Sequence, residues 1–264
     1  ILLLGATGSI GDSVLSVIEQ NQQSLNLYAI TLDSNTFKAK NISEAFKPEY
    51  IHISNEKSFN KIKEDNQINS KVLNGSPDLN ALINDDNIDI IVSAITGFAG
   101  LEATAIASKT GKIILLANKE SIVAAGELIL LSAESSGTTI IPIDSEHNAI
   151  FQCLAGEKNT DDVSKIIITA SGGPFLNKSL SSLKGVTKEQ ALKHPNWSMG
   201  SKISIDSATL VNKCLELIEA KYLFGLDERF FELVIHPQSI VHSIVSYRDG
   251  SSICQMSNPD MTVP

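Results

Sequence analysis

The chain's 264 residues suit one large or two ordinary domains, and 42% hydrophobic with 19% charged residues is the balance of a globular protein with a sizeable core. A formal net charge of −9 repels nucleic acid and anionic membranes, so neither is expected as a partner, and an anionic substrate requires a locally positive pocket. No apolar run reaches the roughly 18 residues of a membrane helix; Cys153, Cys214 and Cys254, odd in number and in no CxxC spacing, read as thiols of a reducing cytoplasm.

The chain starts without Met inside an apolar run, Ile1–Leu4, and stops at Thr262-Val263-Pro264, so it reads as a piece of a longer protein. After that first strand come Gly5, Gly8 and Gly11, then Val14, Leu15, Val17 and Ile18 at helical spacing. Further strands are expected at Leu27–Leu32, Ile88–Ala94, Lys112–Ala117 and Thr139–Ile143, with helices around Gly100–Lys109 and Ser121–Ser135. This alternation predicts βαβ units and a parallel sheet over residues 1–143. Between them, Phe37–Asn87 is polar, rich in Asn and Lys, and reads as weaker elements. From Asp144 the rhythm changes to a strand at Lys165–Thr169, a turn at Ser171-Gly172-Gly173-Pro174 and a turn-rich loop at His194–Lys202, giving an α+β domain over residues 144–264. Within it, Ala208–Gly225 is expected to be one helix, with Leu210, Cys214, Leu217, Ile218 and Lys221 on one face and Thr209, Asn212, Glu216 and Glu219 opposite.

Three patterns carry chemistry. A strand, the Gly5-x-x-Gly8-x-x-Gly11 turn and a helix let the backbone approach a pyrophosphate, although such turns also occur without ligands. The end of the second strand, Leu32-Asp33-Ser34-Asn35, offers no Arg or Lys for a 2′-phosphate and leans toward NAD, with Asn35 still able to bond one. Asp144 and Glu146, two residues apart past a strand, are expected on one side, and Glu216 adds a third carboxylate; the set suits Mg²⁺ or Mn²⁺ or is a solvated acidic surface. Ser207, expected at the start of the long helix, would with Lys213 meet a phosphate or serve as a plain cap. His194 and His236 each precede a proline, His52 and His242 read as structural, and His147 is open between the two. Trp197 either closes over a small substrate or anchors its loop.

Segments Gly5–Gly11, Leu115–Ser121, Asp144–Gln152, Ser171–Phe175, His194–Gly200, Asp206–Thr209 and His236–Ser239, in this order, resemble the 1-deoxy-D-xylulose 5-phosphate reductoisomerase family over nearly the whole chain. The resemblance implies a Rossmann-like NADPH-binding domain, then a catalytic α+β domain, with a C-terminal helical domain beyond Pro264. It implies NADPH contacts from Thr7, Gly8, Ser9, Ile10, Asn35, Asn118, Glu120 and Gly200, beside the Gly5 turn, and one Mg²⁺ or Mn²⁺ held by Asp144, Glu146 and Glu216. It further implies a sugar-phosphate substrate bound by Lys119, Ser145, Ser171, His194, Ser207, Asn212 and Lys213, covered by Trp197 and lined by His236, in a homodimer. Asp33 and Cys214 depart from glycines common in the family. A metal-free NAD(P) dehydrogenase and a nucleotide-binding chain without turnover are the competing classes; insensitivity to chelator marks the first and cofactor binding without reaction the second.

Overall fold

Leu2, Leu3 and Leu4 are fully buried, as a central strand covered by helices on both faces requires. They form β1 (Leu2–Leu4) in the computed structural model, which describes residues 1–157, 160–195 and 200–264. The chain divides into two compact units, Ile1–Pro142 and Ile143–Pro264.

In the first unit β1 is followed by α1 (Ser9–Gln20), β2 (Ala29–Leu32), α2 (Thr36–Phe46), β3 (Tyr50–Ile53), α3 (Glu56–Lys63), β4 (Lys71–Leu73) and α4 (Gly75–Ile83). The chain continues through β5 (Ile90–Ser93), α5 (Leu101–Ala107), β6 (Ile113–Leu116), α6 (Lys119–Ser136) and β7 (Thr139–Pro142). The seven strands run parallel in the order β4-β3-β2-β1-β5-β6-β7. Because the order reverses between β1 and β5, their C-terminal ends form the switch point where open sheets of this kind take ligands. The expected Rossmann-like sheet is present. The polar stretch Phe37–Asn87 is more regular than its composition suggested: Asn35, just before it, caps α2 by accepting from Lys38 N, and Asn55 within it caps α3 by accepting from Ser58 N. His52 is buried with Nε2 3.0 Å from the Gly75 carbonyl, a structural role.

The second unit holds α7 (Ser145–Cys153), β8 (Val163–Ala170), α8 (Lys188–Ala191), α9 (Ser201–Ala208), α10 (Val211–Phe224), β9 (Phe231–Ile235), β10 (Val241–Tyr247) and β11 (Ser252–Met256). Its sheet runs β11-β10-β8-β9, antiparallel except for the parallel pair β8 and β9. Ile150 and Cys153 of α7, Ile166 and Ile168 of β8, Ala220 of α10 and Val245 of β10 make one core. No described helix is long and apolar enough to cross a membrane.

Several expectations fail here. The single helix Ala208–Gly225 is two helices, because Leu210 adopts a left-handed conformation, φ +62°, and turns the chain between α9 and α10. Ser207 therefore lies in the last turn of α9 rather than at a helix start. The faces are also reversed: Lys213, Glu216 and Glu219 are buried, whereas Leu210 and Ile218 are 44% and 41% exposed. Likewise Asp144 and Glu146 do not extend a strand; Asp144 is the N-cap residue of α7 and Glu146 lies in its first turn.

Candidate functional site

The first turn of α7 brings Asp144 and Glu146 toward Glu216 of α10, with one carboxylate oxygen from each within 4.8 Å of the others. Glu216 is fully buried. Its carboxylate accepts from Lys213 Nζ at 2.6 Å and from the Asn212 amide, and Lys213 also pairs with Glu146. Ser145 Oγ donates to Glu146 as well. Burial pushes the Lys213 ammonium down, but Glu146 and Glu216 outweigh it and hold the group above its ordinary value. Burial pushes Glu146 up and Asp144 repels it, yet Lys213 dominates and keeps the carboxyl below its ordinary value. One ammonium thus already bridges two of the three carboxylates, the fully buried Glu216 and the half-buried Glu146. Hard oxygen donors converging from two helices, with positive charge already drawn among them, fit a divalent cation such as Mg²⁺ or Mn²⁺.

Around this cluster the other expected residues fall unevenly. Ser171 follows β8, and its Oγ lies 2.9 Å from His194 Nε2. Burial holds the His194 ring below its ordinary value. The next glycines bring a second hydroxyl-bearing segment close: a Cβ on Gly173 would stand 2.9 Å from the Ser207 carbonyl, so the turn after β8 packs on the end of α9. Gly200 is the N-cap residue of α9. His236 turns inward on its own loop, its Nε2 accepting from the amides of Ile240 and Val241 at 3.2 Å. Trp197 lies outside the described residues. His242 reads as structural in place too, its Nε2 2.8 Å from Ser257 Oγ.

The glycine turn sits in the first unit, where β1 ends. Gly5 has φ +83°, and an added Cβ would lie 2.7 Å from the Ala94 carbonyl oxygen; one on Gly11 would lie 2.4 Å from that of Ala6. Both are required by the fold. Gly8 is different: a Cβ there meets only the Gly5 carbonyl, at 3.5 Å, and its φ is −82°. The fold itself does not require a glycine there. Gly8 and Ser9 are exposed at the start of α1, and Thr7 and Ile10 are half-buried. Asn35 is spent partly on capping α2. Asn118 donates its amide to the carbonyls of Ile95 and Gly97 and accepts from Ser121 N, so its side chain orders the loop after β5 and starts α6. Lys119 and Glu120 follow in the first turn of α6, with Lys119 buried.

Sequence reasoning missed Lys38 and Glu219 and left His147 open. Lys38 reaches back from α2, its Nζ donating to the Thr7 carbonyl at 3.1 Å and pairing with Asp12 at 2.5 Å, which sets a cation against the glycine turn. His147 is fully buried, with Nε2 2.9 Å from the Glu216 carbonyl and Nδ1 3.1 Å from Glu219 and 3.4 Å from Asp144. Glu219 is equally buried. The only sequence signal for the last pair was that Glu219 shares the Glu216 face of its helix.

Residues 1–126 match the 1-deoxy-D-xylulose 5-phosphate reductoisomerase family, and residues 140–224 match that enzyme's C-terminal domain family. The 1-deoxy-D-xylulose 5-phosphate reductoisomerase of Clostridium tetani is 49% identical over all of this chain and 69% of its own length. A DOX-P reductoisomerase solved with NADPH, fosmidomycin and magnesium is 44% identical and superimposes with a TM-score of 0.94 over 98% of this chain and 66% of that one. The Zymomonas mobilis reductoisomerase solved with NADPH is also 44% identical, with a TM-score of 0.90 over the whole chain and 68% of its own. The chain thus spans about two thirds of the proteins it matches. Identity at this level across both units, with family matches over residues 1–126 and 140–224, means that the chain belongs to the 1-deoxy-D-xylulose 5-phosphate reductoisomerase family.

Proposed function

We propose that the protein converts 1-deoxy-D-xylulose 5-phosphate to 2-C-methyl-D-erythritol 4-phosphate for isoprenoid precursor synthesis, oxidising NADPH and using one Mg²⁺ or Mn²⁺. The observation that supports this most is the convergence of Asp144, Glu146 and Glu216 on a buried patch shared with Lys213 and Asn212. A plain dehydrogenase has no use for three carboxylates converging on one point.

Asp144, Glu146 and Glu216 hold the cation. When bound, the cation supplies Lewis acidity toward the substrate's ketone and hydroxyl oxygens, and NADPH supplies the hydride. Lys213, Asn212, Ser171 and Ser207 bind the phosphate, which does not react but fixes the carbon skeleton for the rearrangement. Ser145 and His194 bind substrate hydroxyls, and Lys119 adds positive charge. Trp197 covers the substrate against water, and His236 lines the site through the loop its ring orders. Gly5, Thr7, Gly8, Ser9 and Ile10 cradle the cofactor's pyrophosphate, with Asn35, Asn118, Glu120 and Gly200 as further contacts. The second unit pairs with another copy in a homodimer: Leu233, Val234 and Ile235 of the edge strand β9 are 40–43% exposed, an apolar edge that a partner would cover. The protein works in the cytoplasm, where Cys153, Cys214 and Cys254 stay reduced.

The test is NADPH consumption with 1-deoxy-D-xylulose 5-phosphate, with and without chelator and fosmidomycin. Turnover that chelator and fosmidomycin both stop is expected. Turnover insensitive to chelator would make the carboxylates structural and the reading wrong.

A further inference from the structure

Around the carboxyl ends of β5 and β6 four polar side chains are taken almost wholly out of water: Thr104 and Ser121 are fully buried, Ser93 is 1% exposed and Asn118 2%. Of these only Asn118 takes part in the cofactor contacts proposed above. A buried hydroxyl is costly unless it is hydrogen-bonded, and here the hydroxyls bond to one another.

Thr104, on α5, stands at the centre. Its one proton goes to the Gly100 carbonyl a turn earlier, 2.8 Å away. Ser93 Oγ, at the end of β5 and 2.8 Å from Thr104 Oγ1, must therefore be the donor in the bond between the two hydroxyls. Ser121 Oγ, on α6, lies 3.4 Å from the same oxygen and donates to Asn118 Oδ1. A chain of hydroxyls thus runs from β5 through α5 to Asn118 at the start of α6. Gly100 closes it by contact: a Cβ there would stand 2.8 Å from Asn118 Nδ2, so the residue whose carbonyl Thr104 holds is the one on which the Asn118 amide rests. That amide donates in turn to the carbonyls of Ile95 and Gly97, and Gly97 opens the single helical turn that Gly100 ends.

The geometry points to Thr104 as a positioning residue for the cofactor: it fixes the Gly97–Gly100 turn and, through that turn, the side chain of Asn118 and the first turn of α6, where Glu120 stands. This rests on reading Asn118 and Glu120 as NADPH contacts. Without the Thr104 hydroxyl, the Gly100 carbonyl and the Ser93 hydroxyl both lose a buried partner, and the turn that receives the Asn118 amide relaxes.

The experiment measures NADPH dissociation constants by cofactor fluorescence, with melting temperature alongside. Thr104→Val keeps the shape of the side chain and removes both of its hydrogen bonds. It is expected to weaken NADPH binding by about tenfold, the equivalent of one hydrogen bond. Thr104→Ser retains the hydroxyl and is expected to bind NADPH as the parent does. A folded Thr104→Val that only melts lower and binds NADPH like the parent overturns the assignment, as does a Thr104→Ser that binds as weakly as Thr104→Val. If Thr104→Val does not fold, Ser121→Ala takes its place; it removes the hydroxyl that bonds Asn118 directly and should weaken NADPH binding in the same direction, and an unchanged affinity again overturns the role. A parent protein that binds no NADPH sinks the cofactor reading itself, an outcome distinct from a parent and a variant that bind equally well.

Discussion

Lys213 Nζ lies 2.6 Å from the carboxylate of Glu216, three residues on along α10, and the same ammonium reaches across to Glu146 on α7. It neutralises part of a buried acidic cluster and stands at the edge of the proposed phosphate site. Removing one member of a buried ion pair costs about 3–5 kcal/mol, because the remaining charge stays buried without its partner. Lys213→Met should therefore destabilise the metal-free protein by about 3 kcal/mol. Saturating Mg²⁺ or Mn²⁺ should restore much of the loss, since the cation supplies the missing positive charge. Thermal melts with and without metal measure both. A variant that melts like the parent without metal, or gains no more from metal than the parent does, contradicts the shared-charge account.

Two glycines at the start of α1, Gly8 at its N-cap and Gly11 in its first turn, make a paired test of the nucleotide site. Gly11→Ala puts a methyl 2.4 Å from a backbone oxygen that cannot retreat, so it should lower the melting temperature clearly. Gly8→Ala meets only an ordinary 3.5 Å contact and keeps an allowed φ, so it should melt like the parent. A methyl there still stands where a pyrophosphate would approach, so NADPH affinity should fall by about tenfold or more, near 1.4 kcal/mol. Cofactor fluorescence on both variants decides it: a Gly8→Ala protein that binds NADPH normally removes the pyrophosphate from that turn.

His194 offers a prediction in pH. Burial holds its ring below the ordinary value of 6.5, so the folded form favours the neutral imidazole that meets Ser171 Oγ at 2.9 Å. An unfolded chain takes up the proton more readily. The contribution to stability is therefore complete above 6.5 and is lost as pH falls below it through the folded-state value. The parent should lose melting temperature on acidification more steeply than His194→Gln. Parallel acid limbs for the two proteins would show that His194 does not carry this dependence.

What the sequence conveyed and what it hid differ by the range of the interaction. The apolar runs around Leu2–Leu4, Ile91 and Ile114 announce strands covered on both faces because burial there is nearly complete. Glu216, Asn212 and Lys213 could be grouped because helical spacing is local. The break at Leu210 was hidden: a leucine in a left-handed conformation interrupts the helix without interrupting its 3.6-residue pattern, and no Gly or Pro marks the place. The inverted faces of α10 follow from the site itself, where the polar residues turn inward to meet α7 and the apolar ones are left outward. His147 and Glu216 touch across 69 residues, a distance at which single-sequence periodicity carries no information.

Lys38 bears on the one reading of the cofactor that the residues alone supported. The end of β2 holds no cation, and Asp33 is exposed there, which suggested NAD. Yet α2 carries Lys38 back to the glycine turn, where Nζ bonds the Thr7 carbonyl and pairs with Asp12, on the strand end where a 2′-phosphate is normally received. A charged hydrogen bond contributes about 1.5–3 kcal/mol, so Lys38→Ala should raise KM for NADPH by about tenfold or more. KM for NADH should change much less, because it lacks the 2′-phosphate and feels only the loss of the Lys38 contacts to Asp12 and the turn carbonyl, which is common to both cofactors. Steady-state kinetics with both cofactors on both proteins settle the point: an equal rise in the two KM values would assign Lys38 to holding the glycine turn, and discrimination between cofactors would then have to come from Asn35 and its neighbours.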